Sequence, residues 1–230
     1  MARFVTSRLM LIPGYRLRNA PRSDGRTYAP AVLTAARAIR PRFNPSSSSI
    51  AILASSMAVN SVLIIGDPSN WENPLVRVHS SCLTGDVFGS MRCECGPQFI
   101  SALERIADNP GGGMIIYMSG HEGRGIGLWA KAATYLLQDG GENTYQANRS
   151  LGLPDDCRDF GDAASLLKYF QGDRPFRLLT NNPKKISDLE EHGLKDITPV
   201  KHVIGVGKVN RDYLAAKRDW GHYLSSEDIE

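Results

Sequence analysis

The sequence has little of several features that would define a function class. It contains four cysteines in 230 residues, and aromatic residues make up only 8% of it. No apolar run approaches the roughly 20 residues that a membrane span requires. Residues 1–50 contain no lysine and a single acidic residue, Asp24, and no nucleic-acid-binding motif is recognisable. We therefore expect a globular protein without a membrane or nucleic-acid partner.

Charge divides the chain into two parts. Residues 1–50 carry nine arginines against a single acid, whereas residues 51–230 hold 18 basic and 23 acidic residues. An Arg-rich, Ser-rich and acid-poor start has the composition of an organelle transit peptide, and a disordered arm or a strand added in an oligomer are alternatives. The proline and serine residues of Pro41–Ser49 predict a linker. We therefore predict a poorly packed basic extension over residues 1–49 and a folded domain over residues 50–230.

Three of the four cysteines, Cys82, Cys93 and Cys95, have the spacing C-x10-C-x-C. Structural zinc sites usually close all four positions with protein ligands, whereas catalytic zinc sites keep one open for water. Three clustered cysteines without an obvious fourth ligand predict a catalytic metal site, and ordinary buried thiols are the alternative. Close spacing suits a metal better than disulfides and favours a reducing compartment. We expect a cytoplasmic protein, with organelle targeting as the alternative.

Strand and helix patterns alternate from about Ile50 onward. Strands are predicted at Ser61–Ile65, Leu75–His79, Met114–Met118, Phe176–Leu179 and Val203–Val206. Helices are predicted from Pro97, over Leu128–Gln138, over Asp162–Phe170, from Pro183 to near Gly193, and over Asn210–Leu224. This alternation predicts an α/β fold.

Six blocks of sequence occur in the order and spacing of a known enzyme family. They are R-V-H-S-S-C-L-T-G-D (77–86), R-C-E-C-G-P-Q (92–98), H-E-G-R-G-I-G-L (121–128), Y-L-L-Q-D (135–139), D-x-R-D-F (156–160) and L-L-T-N-N-P-K-K (178–185). With Tyr213, Lys217 and His222 near the end, they cover roughly residues 60–224 and resemble GTP cyclohydrolase II. The resemblance implies a mixed β-sheet flanked by helices and a homodimer.

The implied reaction is the first step of riboflavin biosynthesis, with Zn²⁺ and Mg²⁺ as cofactors. GTP is hydrolysed to formate, pyrophosphate and 2,5-diamino-6-(ribosylamino)pyrimidin-4-one 5'-phosphate. By resemblance Cys82, Cys93 and Cys95 hold the zinc. Zinc is needed because carbon C8 of guanine is a poor electrophile and its hydrolysis requires activated water. Thiolates make the metal a weaker Lewis acid than imidazoles would, so a neighbouring donor or base should assist. His79 and His121 are interpreted as local hydrogen-bonding groups, not as a fourth ligand.

Three residues match catalytic positions of the family. Tyr135 is implied in the hydrolytic steps, and an aromatic side chain on the core side of its helix is the alternative. Asp156 and Arg158 match the pair proposed as proton acceptor and nucleophile toward the α-phosphate. Because arginine stays protonated in proteins, charge stabilisation is the easier role for Arg158. A surface ion pair worth under about 1 kcal/mol is the alternative for these two residues.

Seven residues match the family's nucleotide contacts, namely Arg77, Gln98, Glu122, Arg124, Thr144, Thr180 and Lys185. Two of them, Arg77 and Lys185, offer positive charge for phosphate, and Thr180 adds a hydroxyl beside a predicted helix start. Glu122 suits the N1–H and exocyclic amine of guanine, which would discriminate against adenine. Cys157 matches no ligand position and is interpreted as a bystander.

The chain departs from the family pattern at three places. Ser81 stands where the family usually has glutamate, Ser119 stands where it has arginine, and the family's Pro-Thr-x-x-Gly start is not recognisable in residues 1–50. Loss of a charged group at a triphosphate site changes phosphate affinity by about 1–3 kcal/mol. Two alternatives to GTP hydrolysis follow. One is a diverged paralogue that acts on another nucleotide or stops at the formamidopyrimidine stage, and the other is a non-catalytic nucleotide-binding protein.

Overall fold

The computed structural model describes residues 9–11 and 60–230, and a six-stranded mixed sheet is its central element. The strands are β1 (Leu9–Leu11), β2 (Asn60–Ile65), β3 (Leu75–Ser80), β4 (Gly113–Met118), β5 (Phe176–Leu179) and β6 (Ile197–Val200), in the spatial order β1-β2-β4-β3-β5-β6. Strands β3 to β6 run parallel to one another, whereas β2 is antiparallel to β4. Strand β1 pairs in parallel with β2. The predicted mixed sheet is confirmed.

Six α-helices accompany the sheet in the described part of the chain. They are α1 (Cys95–Ala107), α2 (Gly127–Asp139), α3 (Thr144–Ser150), α4 (Gly161–Gln171), α5 (Pro183–Glu191) and α6 (Arg211–Asp219). Short helical turns occur at Pro68–Asn70, Leu83–Val87, Ser119–Gly125 and Glu227–Ile229. None of the helices in residues 60–230 combines the length and apolarity that a bilayer crossing requires.

Helices cover both faces of the sheet because successive strand residues point to opposite sides. On one face, Val76 and Val78 of β3 belong to a core that includes Phe160, Leu167 and Leu189 from the α4 and α5 region. On the other face, Leu75 of β3 packs in a core with Ala102, Leu103 and Ile106 of α1. The first five residues of β3 are therefore buried, including the polar Arg77 and His79.

The last predicted strand is wrong. Residues Val203–Val206 pair with no strand of the described residues, and the sixth strand is Ile197–Val200 instead. Pro199 within that segment argues against a central strand because proline cannot donate to a ladder. Within residues 9–11 and 60–230, strand β6 lies at the edge of the sheet and pairs with β5 alone, so the missing N–H is tolerated.

Two helices differ from expectation in position or length. Helix α3 was not predicted, since its seven residues show no apolar period. Its signal is the capping box, in which the Asn143 side chain accepts from the Gln146 N–H and the Gln146 side chain accepts from the Asn143 N–H. Helix α6 is shorter than predicted because Gly221, with φ of +91°, ends the helical path.

The predicted extension lies mostly outside the described residues. Only Leu9–Leu11 of residues 1–49 is described, as β1, and the predicted linker Pro41–Ser49 is not. The division of the chain at residue 50 stays a prediction.

Gly112 offers a test of how the start of β4 is packed. Its φ is +68°, and a Cβ there would lie 2.3 Å from Nε1 of Trp71 and 2.8 Å from the Ile65 carbonyl oxygen. The Trp71 indole is buried and donates to that same carbonyl at 3.1 Å. Gly112→Ala should therefore add overpacking of about 1–3 kcal/mol to a backbone penalty of about 1–2 kcal/mol.

The matched control is Gly152→Ala, because Gly152 has φ of +69° and open space where a Cβ would go. It should lose only the backbone penalty of about 1–2 kcal/mol. Urea unfolding of both variants measures the two free energies of unfolding. Equal losses would contradict a tight packing of Gly112 against Trp71.

Candidate active site

A cleft lies at the carboxyl ends of the parallel strands, where the loops after β3, β4 and β5 meet. Among its lining are eleven residues expected at the site from the sequence: Cys82, Cys93, Cys95, Tyr135, Arg158, Arg77, Gln98, Arg124, Thr144, Thr180 and Lys185. The remaining two, Glu122 and Asp156, do not line the cleft and instead contact residues that do. The sheet topology thus gathers segments that are about a hundred positions apart in the sequence.

The three cysteines form one cluster. The Sγ atoms of Cys82, Cys93 and Cys95 all lie within 4.8 Å of one another, and those of Cys82 and Cys93 are 3.6 Å apart. Cys82 follows β3, whereas Cys95 is the first residue of α1. Within residues 60–230 and 9–11, this is the only group of three potential metal-ligand side chains that lie this close together.

Gly85 allows this close approach. A Cβ at this position would lie 3.1 Å from the Sγ atoms of both Cys82 and Cys93, and 3.2 Å from Cβ of Cys95. The Gly85 N–H donates to Cys82 Sγ at 3.4 Å. The backbone of the turn Leu83–Val87 therefore passes close to the sulfur atoms, and a side chain at position 85 would press against two of the three.

The donor set fits a zinc ion. Hydrogen bonding to Cys93 lowers the pKa of Cys82 far below that of a free thiol, and the hydrogen bond to Cys82 raises the pKa of Cys93 to about 12. Without a metal the cluster thus favours one thiolate among three sulfur atoms. Soft thiolate ligands at this spacing select zinc over hard cations such as magnesium.

Lys131 contacts the cluster and was missed by the sequence analysis. Its Nζ donates to Cys82 Sγ at 3.1 Å, to Thr84 Oγ1 at 2.9 Å and to Glu122 Oε1 at 2.6 Å. Burial opposes the charge of this lysine, but the hydrogen bond to Glu122 and the charge of Cys82 outweigh burial and raise its pKa. The signal in the sequence was the spacing of four between Lys131 and Tyr135, which puts both on one face of α2.

Tyr135 reaches the cluster through Thr84. Its hydroxyl lies 3.3 Å from Thr84 Oγ1, and the guanidinium of Arg92 lies 4.8 Å from its ring centre. Arg92 also pairs with Asp139 at the end of α2 and so ties the cysteine loop to this helix. Burial raises the pKa of Tyr135 above its ordinary value. The hydroxyl therefore stays protonated at neutral pH and is available as a donor.

Arg158, which lines the cleft, forms a bidentate ion pair with Asp156. Asp156 Oδ1 accepts from Arg158 Nε at 2.9 Å, and Oδ2 accepts from Nη2 at 2.5 Å. Burial alone would lower the pKa of Arg158, but the hydrogen bond and charge of Asp156 raise it. Burial likewise opposes the Asp156 charge, yet Arg158 holds the pKa of this carboxyl below its ordinary value. Both side chains are charged at neutral pH.

Two buried cations in the cleft have no carboxylate within ion-pair distance among the described residues. Arg77 donates to the Leu179 carbonyl and to Gln98 Oε1, both at 2.8 Å, and Lys185 donates to the Val78 carbonyl at 2.7 Å. Burial lowers the pKa of Arg77 to about 10 and that of Lys185 well below its ordinary value. Buried cations without a counter-charge predict an anionic ligand.

The other predicted nucleotide contacts surround these cations. Gln98 also donates to the His202 carbonyl at 3.0 Å, and Thr180 Oγ1 accepts from the Asn182 N–H at 3.1 Å before α5 begins. Arg124 donates to the carbonyl and hydroxyl oxygens of Thr144 at 2.8 and 3.1 Å. Arg124 has φ of +60°, a left-handed conformation that costs a non-glycine residue about 1–3 kcal/mol and is typical of functional sites.

Glu122 is held by three donors. Its Oε1 accepts from Lys131 and from the Gly123 N–H, and its Oε2 accepts from the Leu83 N–H at 2.6 Å. The carboxylate therefore links the turn after β4 to the cysteine loop. Oε1 has both lone pairs occupied by these donors, and Oε2 retains one for a further donor.

The two histidines make local hydrogen bonds. His79 Nε2 lies 3.1 Å from both carboxylate oxygens of Asp86. His121 Nδ1 lies 3.2 Å from Ser80 Oγ, and its Nε2 lies 3.0 Å from the Asp159 carbonyl oxygen. Burial lowers the pKa of His121 to about 4, so its ring is neutral at pH 7.

A second contact missed by the sequence analysis joins the cysteine loop to the carboxyl-terminal helix. Glu94, between two of the clustered cysteines, is 3% exposed and pairs with Lys217 of α6. Its Oε2 has no partner within the described part of the chain. Lys217, Tyr213 and His222 line the cleft. Helix α6 therefore closes one side of the site.

Comparison with known proteins agrees with this geometry. Residues 54–200 match the family model described as GTP cyclohydrolase II. A protein named "Riboflavin biosynthesis protein RibBA" from Nocardia farcinica is 51% identical over 167 residues, which is 72% of this chain and 40% of that protein. Proteins of the same name from Salinispora arenicola and Mycolicibacterium paratuberculosis are 49% and 51% identical over 73% and 72% of this chain.

The chain spans about two fifths of the length of these curated relatives, since it covers 40%, 40% and 39% of them. The family match covers more than half of the chain and includes the cysteine cluster, Tyr135, and the Asp156–Arg158 pair. The chain belongs to the GTP cyclohydrolase II family.

Proposed function

We propose that this protein hydrolyses GTP, opens the imidazole ring and releases formate and pyrophosphate as a step of riboflavin biosynthesis. The observation that carries this proposal is one cleft that contains both a three-cysteine cluster and two buried cations, Arg77 and Lys185, without a carboxylate partner in the described part of the chain. A nucleotide that loses a carbon atom from its base and pyrophosphate from its triphosphate would contact both the cysteine cluster and the cations in one reaction. The names of the relatives support riboflavin biosynthesis as the context.

Cys82, Cys93 and Cys95 would hold one zinc ion in this proposal. Zinc supplies Lewis acidity, which activates water for attack on carbon C8 of guanine at neutral pH. Tyr135 donates a proton through its hydroxyl, since its raised pKa keeps it protonated. Thr84 orients that hydroxyl toward the cysteine cluster.

Positively charged side chains would bind the phosphates of the nucleotide. Arg77 and Lys185 lack a carboxylate partner and would bind phosphate oxygens directly, with Thr180 and the start of α5 beside them. Mg²⁺ would bind to the phosphates, because magnesium prefers oxygen ligands and usually retains several waters. Arg158 is held as a cation by Asp156 and would stabilise the charge that develops on the α-phosphate.

Guanine would be recognised by Glu122, whose Oε2 retains one lone pair for the N1–H or the exocyclic amine. Arg124, Gln98 and Thr144 complete the nucleotide contacts in this proposal. The strained backbone at Arg124 and its contacts with Thr144 support a role in nucleotide binding, because packing alone does not require this backbone conformation.

A homodimer in the cytoplasm is part of the proposal. Five apolar side chains on α2 and the cysteine loop are more than half exposed: Val87, Phe88, Met91, Trp129 and Leu136. Exposed apolar surface of this kind is typical of protein interfaces. The four cysteines are free thiols, which agrees with a reducing compartment.

The direct test is turnover of a nucleotide panel. Purified protein loaded with zinc and supplied with magnesium is incubated with GTP, GDP, GMP, ATP and UMP, and formate and pyrophosphate are quantified separately. We expect both products from GTP alone. Formate without the pyrimidine product would indicate that the reaction stops at ring opening, and turnover of another nucleotide would indicate a diverged paralogue. Absence of turnover with every nucleotide would contradict an enzymatic role.

Cys93→Ser tests the metal site. The variant should lose zinc and formate release together, because one of three sulfur ligands is removed. Cys157→Ser is the matched control, since Cys157 is an exposed thiol outside the cluster and should leave both unchanged. Zinc content is measured by elemental analysis and formate by an enzyme-coupled assay. Full activity in zinc-free Cys93→Ser would refute a role of zinc in the reaction.

Tyr135→Phe tests the proton donor. Zinc stoichiometry should be unchanged, because Tyr135 contacts Thr84 and no cysteine, whereas formate release should slow by about 100-fold or more. Tyr169→Phe on α4, whose ring contacts Phe170 away from the cleft, controls for loss of a phenol. Formate release equal to the wild type would assign Tyr135 to packing alone.

The charge-stabilising role proposed for Arg158 predicts a different result from a nucleophilic role. Protein quenched during turnover of GTP labelled at the α-phosphate should carry no covalent label, because the ion pair with Asp156 keeps the guanidinium protonated. Mass spectrometry of the digested protein checks this result. A guanylyl adduct on Arg158 would contradict the charge-stabilising role and establish the nucleophilic one.

A further inference from the structure

Lys131 lies at the junction of three groups to which the proposed function gives separate roles. Its ammonium has three N–H donors, and each has an acceptor: Cys82 Sγ, Thr84 Oγ1 and Glu122 Oε1. The residue is 8% exposed, so these interactions are shielded from water. A buried lysine that uses every donor inside the protein has none left over for a substrate.

The negative charge of the groups around Lys131 explains why a cation lies at this position. Three thiolates around a divalent metal leave one net negative charge, and the Glu122 carboxylate adds another close by. Two negative charges in a partly buried site are costly unless a cation lies between them. Among the described residues, Lys131 is the one cation that donates a hydrogen bond to a cysteine of the cluster.

We propose that Lys131 is a positioning residue that compensates the charge of the three-cysteine metal site and fixes Glu122 and Thr84 relative to it. This inference rests on the proposed function. A hydrogen bond to Cys82 Sγ draws charge from the sulfur, so the sulfur donates less to the metal, and the metal becomes a stronger Lewis acid. Lys131 is therefore the neighbouring donor that a sulfur-only ligand set requires.

The Lys131 ammonium also connects the metal site to the residue proposed to bind the guanine base. Glu122, the proposed guanine acceptor, is fixed at Oε1 by Lys131 and at Oε2 by Leu83, which follows the ligand Cys82. Thr84 receives a hydrogen bond from Lys131 and contacts the Tyr135 hydroxyl. One side chain thereby sets the distance between the metal site, the proton donor and the atom that recognises guanine.

The test is metal affinity, which does not depend on turnover of GTP. Zinc binding to the full chain is measured by competition with a chromophoric chelator for the wild type, Lys131→Met, Lys131→Gln and Lys131→Arg. Loss of an outer partner of a metal ligand typically weakens binding 10- to 100-fold, and we expect this of Lys131→Met and Lys131→Gln. Lys131→Arg keeps the positive charge and should recover most of the affinity.

A spectroscopic readout separates this role from simple packing. In Co²⁺-loaded protein, the sulfur-to-metal charge-transfer band should move to lower energy in Lys131→Met, because Cys82 donates more charge without its hydrogen bond. Lys168→Met is the matched control, since Lys168 of α4 donates to the His192 carbonyl at the end of α5 and does not line the cleft. It should match the wild type in both measurements.

The outcomes distinguish this inference from the proposed function. If folded Lys131→Met and Lys131→Gln bind zinc within about twofold of the wild type, with an unshifted cobalt spectrum, the inference is overturned even when the wild type hydrolyses GTP. Lys131→Gln keeps a donor in this polar site, so it carries the test if Lys131→Met does not fold. If Lys131→Arg is as weak as Lys131→Met, charge compensation is refuted. A wild type that hydrolyses no nucleotide refutes the function but leaves the metal measurements decisive.

Discussion

The contact between the loop after β3 and the first turn of α1 is the constraint on which the site depends. A Cβ on Gly96 would lie 2.4 Å from the Gly85 carbonyl oxygen, so both segments approach as bare backbone. This approach brings Cys82 to two cysteines that come eleven and thirteen positions later. The sheet makes the contact possible, because β3 carries the loop and α1 packs against the face of the sheet that includes Leu75.

Burial gives the charged groups of the cleft two different roles. Lys131 is compensated within the protein, because it lies among sulfur and carboxylate groups at the cysteine cluster. Arg77 and Lys185 are buried without carboxylate partners in the described part of the chain, and burial together with their mutual repulsion lowers the pKa of Lys185. An anionic ligand would supply the counter-charge that these two cations lack.

The sequence predicted four of the six strands, and eleven of the thirteen predicted site residues line the cleft, because both depend on local pattern or on motifs that lie at strand ends. The strand at Ile197–Val200 could not be predicted by pattern, since Pro199 is acceptable only at a sheet edge and edge position is a property of the whole fold. Helix α3 has no apolar period and begins with a polar capping box. These errors arise where tertiary position outweighs local preference.

Contacts between distant residues explain what was missed at the site. Lys131 lies in a helix where a single lysine is typical of a solvated surface, and only the fold shows that it meets Cys82, 49 positions earlier. The pair of Glu94 and Lys217 joins residues 123 positions apart. Neither pair has a spacing that indicates contact. In contrast, Asp156 and Arg158 are two positions apart, and their pairing follows from local geometry.

The two serine departures from the family pattern meet each other in the structure. Ser81 Oγ donates to the Ser119 carbonyl oxygen at 3.0 Å, so position 81 contacts position 119 across the ends of β3 and β4. The family pattern has glutamate at the first position and arginine at the second. Replacing both removes one charge of each sign from adjacent positions, so the net charge of this region is unchanged.

That neutrality bears on the choice of substrate. Loss of one arginine alone would weaken a triphosphate site by about 1–3 kcal/mol, whereas loss of an arginine together with a neighbouring glutamate removes a compensated pair. The buried cations without a carboxylate partner, Arg77 and Lys185, are both retained, as is the Asp156-bound Arg158. Under the proposed function, the two serine departures therefore leave in place the cations that would bind the phosphates.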